Sequence, residues 1–391
     1  MNDYFIADDL SGALDAAAAF HRSGEAVTIV LSRAAWTAAT RGRVVGFTTE
    51  SRNADPATAA AAVTGAIAHG RALGGTLLYK KIDSTLRGPV AAEVAALQAA
   101  WPGARVLFAP ANPAVGRTVR DGVLHVHGVP VAGTEFGRDP LSPVRESGIR
   151  RLLGAAATER VVTPDVITPE DLVRAVAAMD AIGTEWVGVG SGALARPVAE
   201  RRRVQRERAV SGKGAAGVGA TVVASSGVAQ GTAGPVPVLM ICGSAHAGNR
   251  GQAQVLAQER GVPAIELRLD QPVAAIAAVR AALQAGVGAS VLIEERRGAS
   301  AAVVRLVADV ATALLTESGI ARVFVTGGET AFALGAALGV AELAFHAEVE
   351  PGLSLSLAAS SRFRGWFAIK PGGFGDRATW VRAWDALQAV R

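Results

Sequence analysis

The sequence predicts an α/β fold: two three-layer α/β domains with mainly parallel sheets and an interdomain cleft. Three observations support this prediction. Short apolar runs alternate with longer alanine-rich stretches, as strands and crossover helices do in a parallel sheet. The chain has 391 residues, which is long for one domain and comfortable for two. A segment rich in glycine, alanine and serine, residues 211–237, separates the apolar runs into two groups.

Twelve apolar runs predict the strands. Those before the segment are residues 4–7, 27–31, 44–47, 76–79, 106–109 and 186–189, and those after it are residues 238–242, 264–269, 290–294, 322–326, 343–349 and 366–370. Helices are expected at residues 57–73, 90–100, 247–260, 273–285, 299–318 and 329–338. We therefore predict an N-terminal domain over residues 1–210, a linker over residues 211–237 and a C-terminal domain over residues 238–391.

The composition excludes some classes of protein. The formal net charge is +5 and aromatic residues make up 5% of the chain, which argues against nucleic-acid binding and favours small anionic ligands. The single cysteine, Cys242, excludes an internal disulfide framework, and the aspartates of MNDYFIADDLSG do not fit a signal peptide. We expect a cytoplasmic protein with a small-molecule ligand and neither a nucleic-acid nor a membrane partner. The oligomeric state stays open, and a homo-oligomer is compatible with the sequence.

Two adjacent carboxylates, Asp8 and Asp9, follow the first predicted strand in the motif IADDLSGALD. Ligands of open α/β sheets bind beyond the carboxyl ends of strands, so these side chains are candidate site residues. Adjacent carboxylates in a cleft repel each other unless Mg²⁺ or a basic group compensates their charge. The alternative is that Asp9 caps a helix and Asp8 is a surface charge.

Further polar residues follow the next strands. Arg52, in TTESRN, could bind a carboxylate with its guanidinium fork, or could be an ordinary loop residue. The motif KKIDSTLRG contains two of only four lysines in the chain. It combines the cations, carboxylate and hydroxyls that a polyhydroxylated acid requires, in Lys80, Lys81, Asp83, Ser84, Thr85 and Arg87. The alternative is a capped helix start with a solvated arginine.

A long loop follows the strand at residues 106–109. Pro110 and Pro113 stiffen it, and Gly116 with Arg117 could bring backbone and a guanidinium near a ligand. His125 and His127 alternate further along and lack an evident third metal ligand, so we interpret them as surface residues.

Three glycine turns follow predicted strands of the second domain. They contain Gly243 and Ser244, then Gly327, Gly328, Glu329 and Thr330, and finally Lys370, Gly372 and Gly373. Backbone N–H groups in such turns bind phosphate, so together the turns predict a nucleotide site. The chain has neither a Walker lysine motif nor the glycine fingerprint of a dinucleotide-binding fold, which argues against a Rossmann oxidoreductase.

Taken together, the motifs resemble the four-carbon acid sugar kinase family. The resemblance rests, in order, on ADDLSGALD, the SR of TTESRN, KKIDSTLRG, PANPAVGRT, GTEFGRDP, CGSAHAGNRGQ, VTGGETA and KPGGFG, and it spans nearly the whole chain. It implies an N-terminal acid-sugar-binding domain and a C-terminal nucleotide-binding domain. It also implies ATP-dependent phosphorylation of the C4 hydroxyl of threonate, erythronate or a 3-oxo-tetronate, with Mg²⁺ bridging the phosphates.

The resemblance implies specific site residues. Catalytic roles are expected for Asp8, Asp9 and Asp83. Substrate binding is expected for Asp9, Arg52, Lys80, Lys81, Asp83, Ser84 and Arg87. ATP binding is expected for Ser244, Gly327, Gly328, Glu329, Thr330, Gly372 and Gly373, and no metal ligand is assigned. The alternative function is a non-catalytic, two-lobed sensor of sugar acids, which would not respond to ATP.

Overall fold

The structure is a computed structural model. It describes residues 2–37, 40, 44–211, 236–244, 246, 248–268, 272–286, 288–293 and 301–390. The predicted linker, residues 211–237, lies outside these residues except at its two ends. Among the residues described, no helix is both long and apolar enough to cross a lipid bilayer.

The N-terminal half contains ten strands and six α-helices in the residues described. The strands are β1 (Asn2–Ala7), β2 (Val27–Val30), β3 (Val44–Thr48), β4 (Gly75–Lys81), β5 (Arg105–Ala109), β6 (Arg117–Arg120), β7 (Val123–Val126), β8 (Val129–Pro130), β9 (Val161–Val162) and β10 (Trp186–Gly190). The helices are α1 (Leu10–Arg22), α2 (Pro56–Ala72), α3 (Val90–Ala100), α4 (Ile149–Leu153), α5 (Pro169–Ala181) and α6 (Gly192–Ser211). Seven strands pair in parallel in the order β2-β3-β1-β4-β10-β5-β9, whereas β6, β7 and β8 form a small antiparallel sheet.

The described part of the C-terminal half repeats this design with seven strands and five α-helices. The strands are β11 (Leu239–Cys242), β12 (Ala264–Leu267), β13 (Ala289–Ile293), β14 (Arg322–Thr326), β15 (Glu342–Glu350), β16 (Leu353–Ala359) and β17 (Arg364–Lys370). The helices are α7 (Gly248–Arg260), α8 (Pro272–Gln284), α9 (Ala301–Ser318), α10 (Gly328–Ala337) and α11 (Thr379–Ala389). Strands β12-β13-β11-β14-β17 are parallel, and β16 and β15 extend the sheet in antiparallel pairing.

The predicted α/β class with mainly parallel sheets is confirmed. Every predicted apolar run overlaps a strand of the described residues, because strands covered by helices on both faces are apolar throughout, as in the fully buried β2 and β3. Helix starts also follow local chemistry. The side chain of Asp9 accepts a hydrogen bond from the N–H of Gly12 at the start of α1, and Asp55 caps α2 immediately before Pro56. Strand β16 was not predicted, since its serines interrupt the apolar pattern.

The two halves share one sheet. Residues 342–344 of β15 pair antiparallel with residues 28–30 of β2, and we call this pairing the seam. The alternating directions of β16, β15 and β2 make β1 run opposite to β14 along the sheet. Six strand-to-strand steps separate β14 from β1. At a normal twist these accumulate to roughly 120–150°, which turns the carboxyl ends of both strand sets toward one side.

Candidate functional site

Three loops follow the neighbouring strands β3, β1 and β4, and we call them the acid loops: residues 49–53, 8–12 and 82–88. Arg52 joins two of them. Its Nε and Nη2 donate to the carboxylate of Asp8 at 2.9 and 3.0 Å, and its Nη1 and Nη2 donate to Asp9 at 2.5 and 2.8 Å. One guanidinium therefore compensates the charges of two adjacent carboxylates. The sequence alone allowed either Mg²⁺ or a basic group in this role.

The two carboxylates differ in their electrostatics. Burial alone would raise the pKa of Asp8, but Arg52 and the two lysines outweigh it, so the pKa lies below its ordinary value. Burial raises the pKa of Asp9 above its ordinary value, and the adjacent Asp8 carboxylate adds to this effect against Arg52. Asp9 is therefore the better proton acceptor of the two.

Asp83 organises the third acid loop. Its carboxylate accepts two hydrogen bonds from the Arg87 guanidinium at 2.9 and 3.1 Å, and it also accepts one from the hydroxyl of Thr85. Arg87 reaches Asp139 as well, at 3.3 Å. Burial would raise the pKa of Asp83, but Arg87 and Arg52 hold it well below its ordinary value. Asp83 is therefore ionised at neutral pH.

The adjacent lysines of β4 point to opposite faces of the sheet, as successive strand residues do. Lys80 is 1% exposed, and its Nζ lies 2.9 Å from a carboxylate oxygen of Glu93 in α3. Glu93 also accepts a hydrogen bond from Ser51, so this ion pair supports the loop that carries Arg52. The structure thus gives Lys80 a buried carboxylate partner. Lys81 lies on the α1 side, 3.7 Å from Asp15.

Glu50 is a site residue that the sequence analysis missed. It precedes Ser51 in the acid loop after β3, adopts a φ of 47°, and accepts a hydrogen bond from Thr48. A non-glycine residue in this left-handed region is uncommon and occurs often at functional sites. Burial and the neighbouring Asp9 carboxylate raise the pKa of Glu50 to about 8. Glu50 is therefore a third carboxyl group beside Asp8 and Asp9, mostly protonated at neutral pH.

The predicted phosphate-binding turns lie side by side, because β11, β14 and β17 are neighbours in the sheet. We call residues 243–244, 327–330 and 371–374 the glycine turns. A Cβ atom at Gly243 would overlap Thr330, and one at Gly372 would lie 2.5 Å from the Ser244 Oγ. Gly327 has a φ of 97°, a conformation that favours glycine, and it precedes the first residue of α10. These contacts bring all three turns together at the start of that helix.

Lys370 stabilises the third glycine turn through hydrogen bonds from its buried ammonium group. It is 1% exposed, and its Nζ donates to Asn249 Oδ1 at 3.1 Å and to the carbonyls of Pro371, Gly372 and Phe374 at 3.1, 3.0 and 2.7 Å. Burial lowers the pKa of Lys370 to about 8. The rare lysine therefore serves as an internal support for the turn.

The acid loops meet the glycine turns directly. A Cβ atom at Gly328 would lie 2.5 Å from the Oγ of Ser11, 3.2 Å from its backbone nitrogen and 3.4 Å from Asp9 Oδ2. Asn53 of the acid loops also donates a hydrogen bond to Glu329. The N-termini of α1 and α10 thus face each other, so a group bound at one can reach a group bound at the other.

Within the described residues, no group of three or more histidine, cysteine, aspartate or glutamate side chains could hold a metal ion. His125 lies on β7 and is half-buried, whereas His127 lies just after this strand and is exposed. Mg²⁺ commonly binds substrate phosphates together with only one or two carboxylates. The chemistry of the site fits that mode, because Asp9 Oδ2 faces the turn at Gly328.

Comparison with known proteins identifies the family. Residues 4–161 match a model described as a sugar-binding N-terminal domain, and residues 239–380 match a nucleotide-binding C-terminal domain. A D-threonate kinase from Bordetella bronchiseptica is 34% identical to this chain, with 99% of this chain and 97% of the relative covered. The chain belongs to the four-carbon acid sugar kinase family.

Other relatives extend the comparison. A 3-oxo-tetronate kinase from Methylobacterium radiotolerans is 30% identical over 78% of this chain and 79% of its own length. A solved structure from Salmonella typhimurium, described as a putative tRNA synthase, is 19% identical with a TM-score of 0.75, and it covers 99% of this chain and 100% of its own. At that identity, the structural likeness supports the fold alone.

Proposed function

We propose that this protein transfers the γ-phosphoryl group of ATP to the C4 hydroxyl of a four-carbon sugar acid. Relatives named as D-threonate and 3-oxo-tetronate kinases support this class of substrate. We further propose residues 1–210 as the acid-sugar-binding half and residues 238–391 as the nucleotide-binding half, joined by residues 211–237. The two family models support this division.

The approach of Gly328 to Ser11 and Asp9 is the observation that best supports phosphoryl transfer. A kinase must place an acceptor hydroxyl in line with a phosphate, and catalysis is mostly positioning and charge compensation. Here the turn suited to phosphate lies beside the loop suited to a polyol. A sugar-acid sensor would have no need for a phosphate-binding turn next to its carboxylates.

The glycine turns fit the phosphates of ATP. Their backbone N–H groups at the start of α10 attract anions, and the absence of Cβ atoms leaves room for close approach. In this proposal Ser244, Gly327, Gly328, Thr330 and Gly373 contact the nucleotide. When bound, ATP supplies the phosphoryl group, and Mg²⁺ neutralises charge on the phosphates.

The acid loops provide the groups for the acceptor. In this proposal Asp9 accepts the proton of the C4 hydroxyl, because its pKa is raised and its carboxylate faces the glycine turns. The C4 oxygen forms a bond to the γ-phosphorus while the bond to the β–γ bridging oxygen breaks, and ADP leaves with that oxygen. Asp83, Ser84 and Lys81 contact other polar groups of the sugar acid, and Asp8 acts through Arg52.

A coupled assay of ADP release tests the proposal. The purified protein is screened with ATP and Mg²⁺ against threonate, erythronate and their 3-oxo forms, and the product is identified by phosphorus and carbon NMR. We expect turnover with at least one acid and phosphate on its C4 oxygen. Absence of turnover with all of them, in a protein whose melting temperature rises with a sugar acid but not with ATP, would favour the sensor.

Asp83 provides a sharper test within the same assay. We expect Asp83→Ala to lower kcat/KM for the sugar acid by about 100-fold or more, since the acid loop loses the carboxylate that fixes Arg87 and offers acceptors to hydroxyls. Full turnover by this variant would remove Asp83 from the site. A thermal melt distinguishes lost chemistry from lost folding.

A further inference from the structure

Most cations beside the acid loops already have carboxylate partners. The pairs are Arg52 with Asp8 and Asp9, Lys80 with Glu93, Lys81 with Asp15, and Arg87 with Asp83 and Asp139. A sugar acid brings one more carboxylate into this region. Asp8, Asp9, Asp83 and Glu93 are buried, so taking one of their cations would leave a buried carboxylate without a partner, which is costly. Lys81 forms a looser pair, 3.7 Å from the part-exposed Asp15. The substrate carboxylate therefore requires a cation that is not already neutralised.

Arg117, the first residue of β6, meets this requirement. Its Nη1 donates to the hydroxyl of Ser84 in the third acid loop, and no carboxylate of the described residues forms an ion pair with it. The guanidinium lies 5.4 Å from the centre of the Phe136 ring, and Arg87 lies 5.5 Å from the same centre. Burial lowers the pKa of Arg117, although Asp83 opposes this. A bound anion would offset the cost of holding two guanidinium groups at one ring.

We propose that Arg117 binds the carboxylate of the sugar acid and sets the preference for acids over neutral polyols. This inference rests on the proposed function and assigns the acid-recognising end of the same site. A guanidinium has five N–H donors in a planar fork, and Arg117 uses one of them on Ser84. The fork can therefore give a carboxylate two parallel hydrogen bonds, the geometry that arginine forms best.

The position of Arg117 also orients the substrate. A four-carbon acid carries its carboxylate and its C4 hydroxyl at opposite ends. Arg117 contacts the acid loops at Ser84, whereas the glycine turns contact them at Asp9 and Ser11. Holding the carboxylate at Arg117 leaves the other end of the molecule to extend toward Asp9. The same arginine thus selects acids and determines which hydroxyl reaches the phosphate.

Substrate discrimination tests the proposal. The wild type and Arg117→Gln are assayed for kcat/KM with threonate and erythronate and with the matching polyols, threitol and erythritol. We expect the variant to lose about 10- to 100-fold with the acids, the cost of charged hydrogen bonds. The kcat/KM with the polyols should change by less than about 3-fold. The ratio of kcat/KM for acids to that for polyols should therefore fall almost as much as kcat/KM for the acids does, and KM for ATP should stay unchanged. Arg117→Lys should recover part of the acid activity.

The matched control is Arg120→Gln, which removes the same charge from the exposed end of the same strand and should leave all these values unchanged. Equal losses with acids and polyols in Arg117→Gln would show that Arg117 only supports the Ser84 turn, and the proposal would be overturned. Calorimetric titration with threonate alone needs no turnover and should show 10- to 100-fold weaker binding. If the wild type binds threonate but phosphorylates no acid, the kinase function fails while this titration still decides the role of Arg117.

Discussion

Ion pairs organise the acid loops, whereas close backbone packing organises the glycine turns. Arg52 and Arg87 each contact two carboxylates, and Lys80 is buried against a fifth carboxylate, that of Glu93. In the glycine turns, Gly243 and Gly372 pack closely against Thr330 and Ser244 because they have no Cβ atom. The buried cation Lys370 is surrounded there by carbonyl and amide oxygens.

Under the proposed function, the difference follows from the two ligands. A sugar acid presents a carboxylate and hydroxyls in a specific stereochemical order, so its site needs fixed charges at defined positions. A phosphate chain presents many equivalent oxygens, which backbone N–H groups bind without side-chain charge. Mutations should therefore act through electrostatics on one side and through steric fit on the other.

The largest effect is expected from Arg52→Gln. This substitution leaves Asp8 and Asp9 buried without their shared cation, and breaking such a pair typically costs about 3–5 kcal/mol. Turnover should fall by about 100-fold or more. The carboxylates would then become protonated more easily, so the stability gap to the wild type should narrow as pH falls from 7 to about 4. Urea unfolding across this pH range measures the gap.

The control for Arg52 is Arg174→Gln. Arg174 pairs with Asp171 on the surface, with 71% of its side chain exposed. Such a pair contributes about 0–1 kcal/mol, so this variant should unfold almost like the wild type. A comparable loss of unfolding free energy in both variants would mean that the buried ion pairs of Arg52 stabilise the protein no more than a surface ion pair does.

Gly328→Ala should give the next largest effect, and it acts by steric fit alone. The added Cβ would lie 2.5 Å from Ser11 Oγ and 3.2 Å from its nitrogen, so the acid loops and glycine turns must move apart. Displacement by about 1 Å can cost on the order of 100-fold in rate, and we expect a loss of 10- to 100-fold in kcat. Adding Ser11→Gly removes one of these clashes and should restore part of the rate.

The matched control is Gly251→Ala in α7, where a Cβ would have no neighbour within 4 Å. It should leave activity unchanged and stabilise the protein by about 0.5–1 kcal/mol, since alanine favours a helix. Unaltered turnover in Gly328→Ala would contradict the close approach of the two halves during the reaction.

Glu50→Gln should change the pH dependence of stability. The pKa of Glu50 is raised to about 8, so folding favours its protonated form, and the wild type loses stability as pH rises from about 4.5 to 8. Glutamine resembles the protonated side chain and does not titrate. The free energy of unfolding of the variant should therefore rise relative to that of the wild type by at most about 1.4 kcal/mol per pH unit in this range.

Glu200→Gln provides a control of opposite sign for Glu50. Glu200 lies exposed on α6, and its hydrogen bond with Arg203 lowers its pKa. Neutralising it should bring no gain in stability as pH rises. A Glu50→Gln variant whose stability tracks the wild type at every pH would show that Glu50 titrates normally.

Much of the strand and helix pattern could be predicted from the sequence, because parallel strands form short apolar runs and the polar motifs follow them. The partners of the motifs were harder to predict. Lys80 and Lys81 were both expected to bind substrate, but the sequence did not show that β4 extends through both residues, so that they point to opposite faces of the sheet. The signal for Glu93 was present, because it is the one charged residue in the helix over residues 90–100.

Contacts between distant segments left no local signal. The seam depends on three residue pairs more than 300 positions apart in sequence. The pairing of Arg117 with Ser84 depends on where the small sheet of β6, β7 and β8 packs. Such contacts follow from tertiary packing and not from periodicity. A single sequence therefore shows which residues are present but not which of them pair in the fold.

The seam has a consequence for how this chain can be divided. Strand β2 is buried along its full length, and β15 covers the side that would otherwise be a free edge. Cutting the protein between its halves would expose an unpaired edge on β2 and another on β15, and unpaired strand edges promote aggregation. Soluble fragments for binding studies would therefore require charged or proline substitutions at the newly exposed edges.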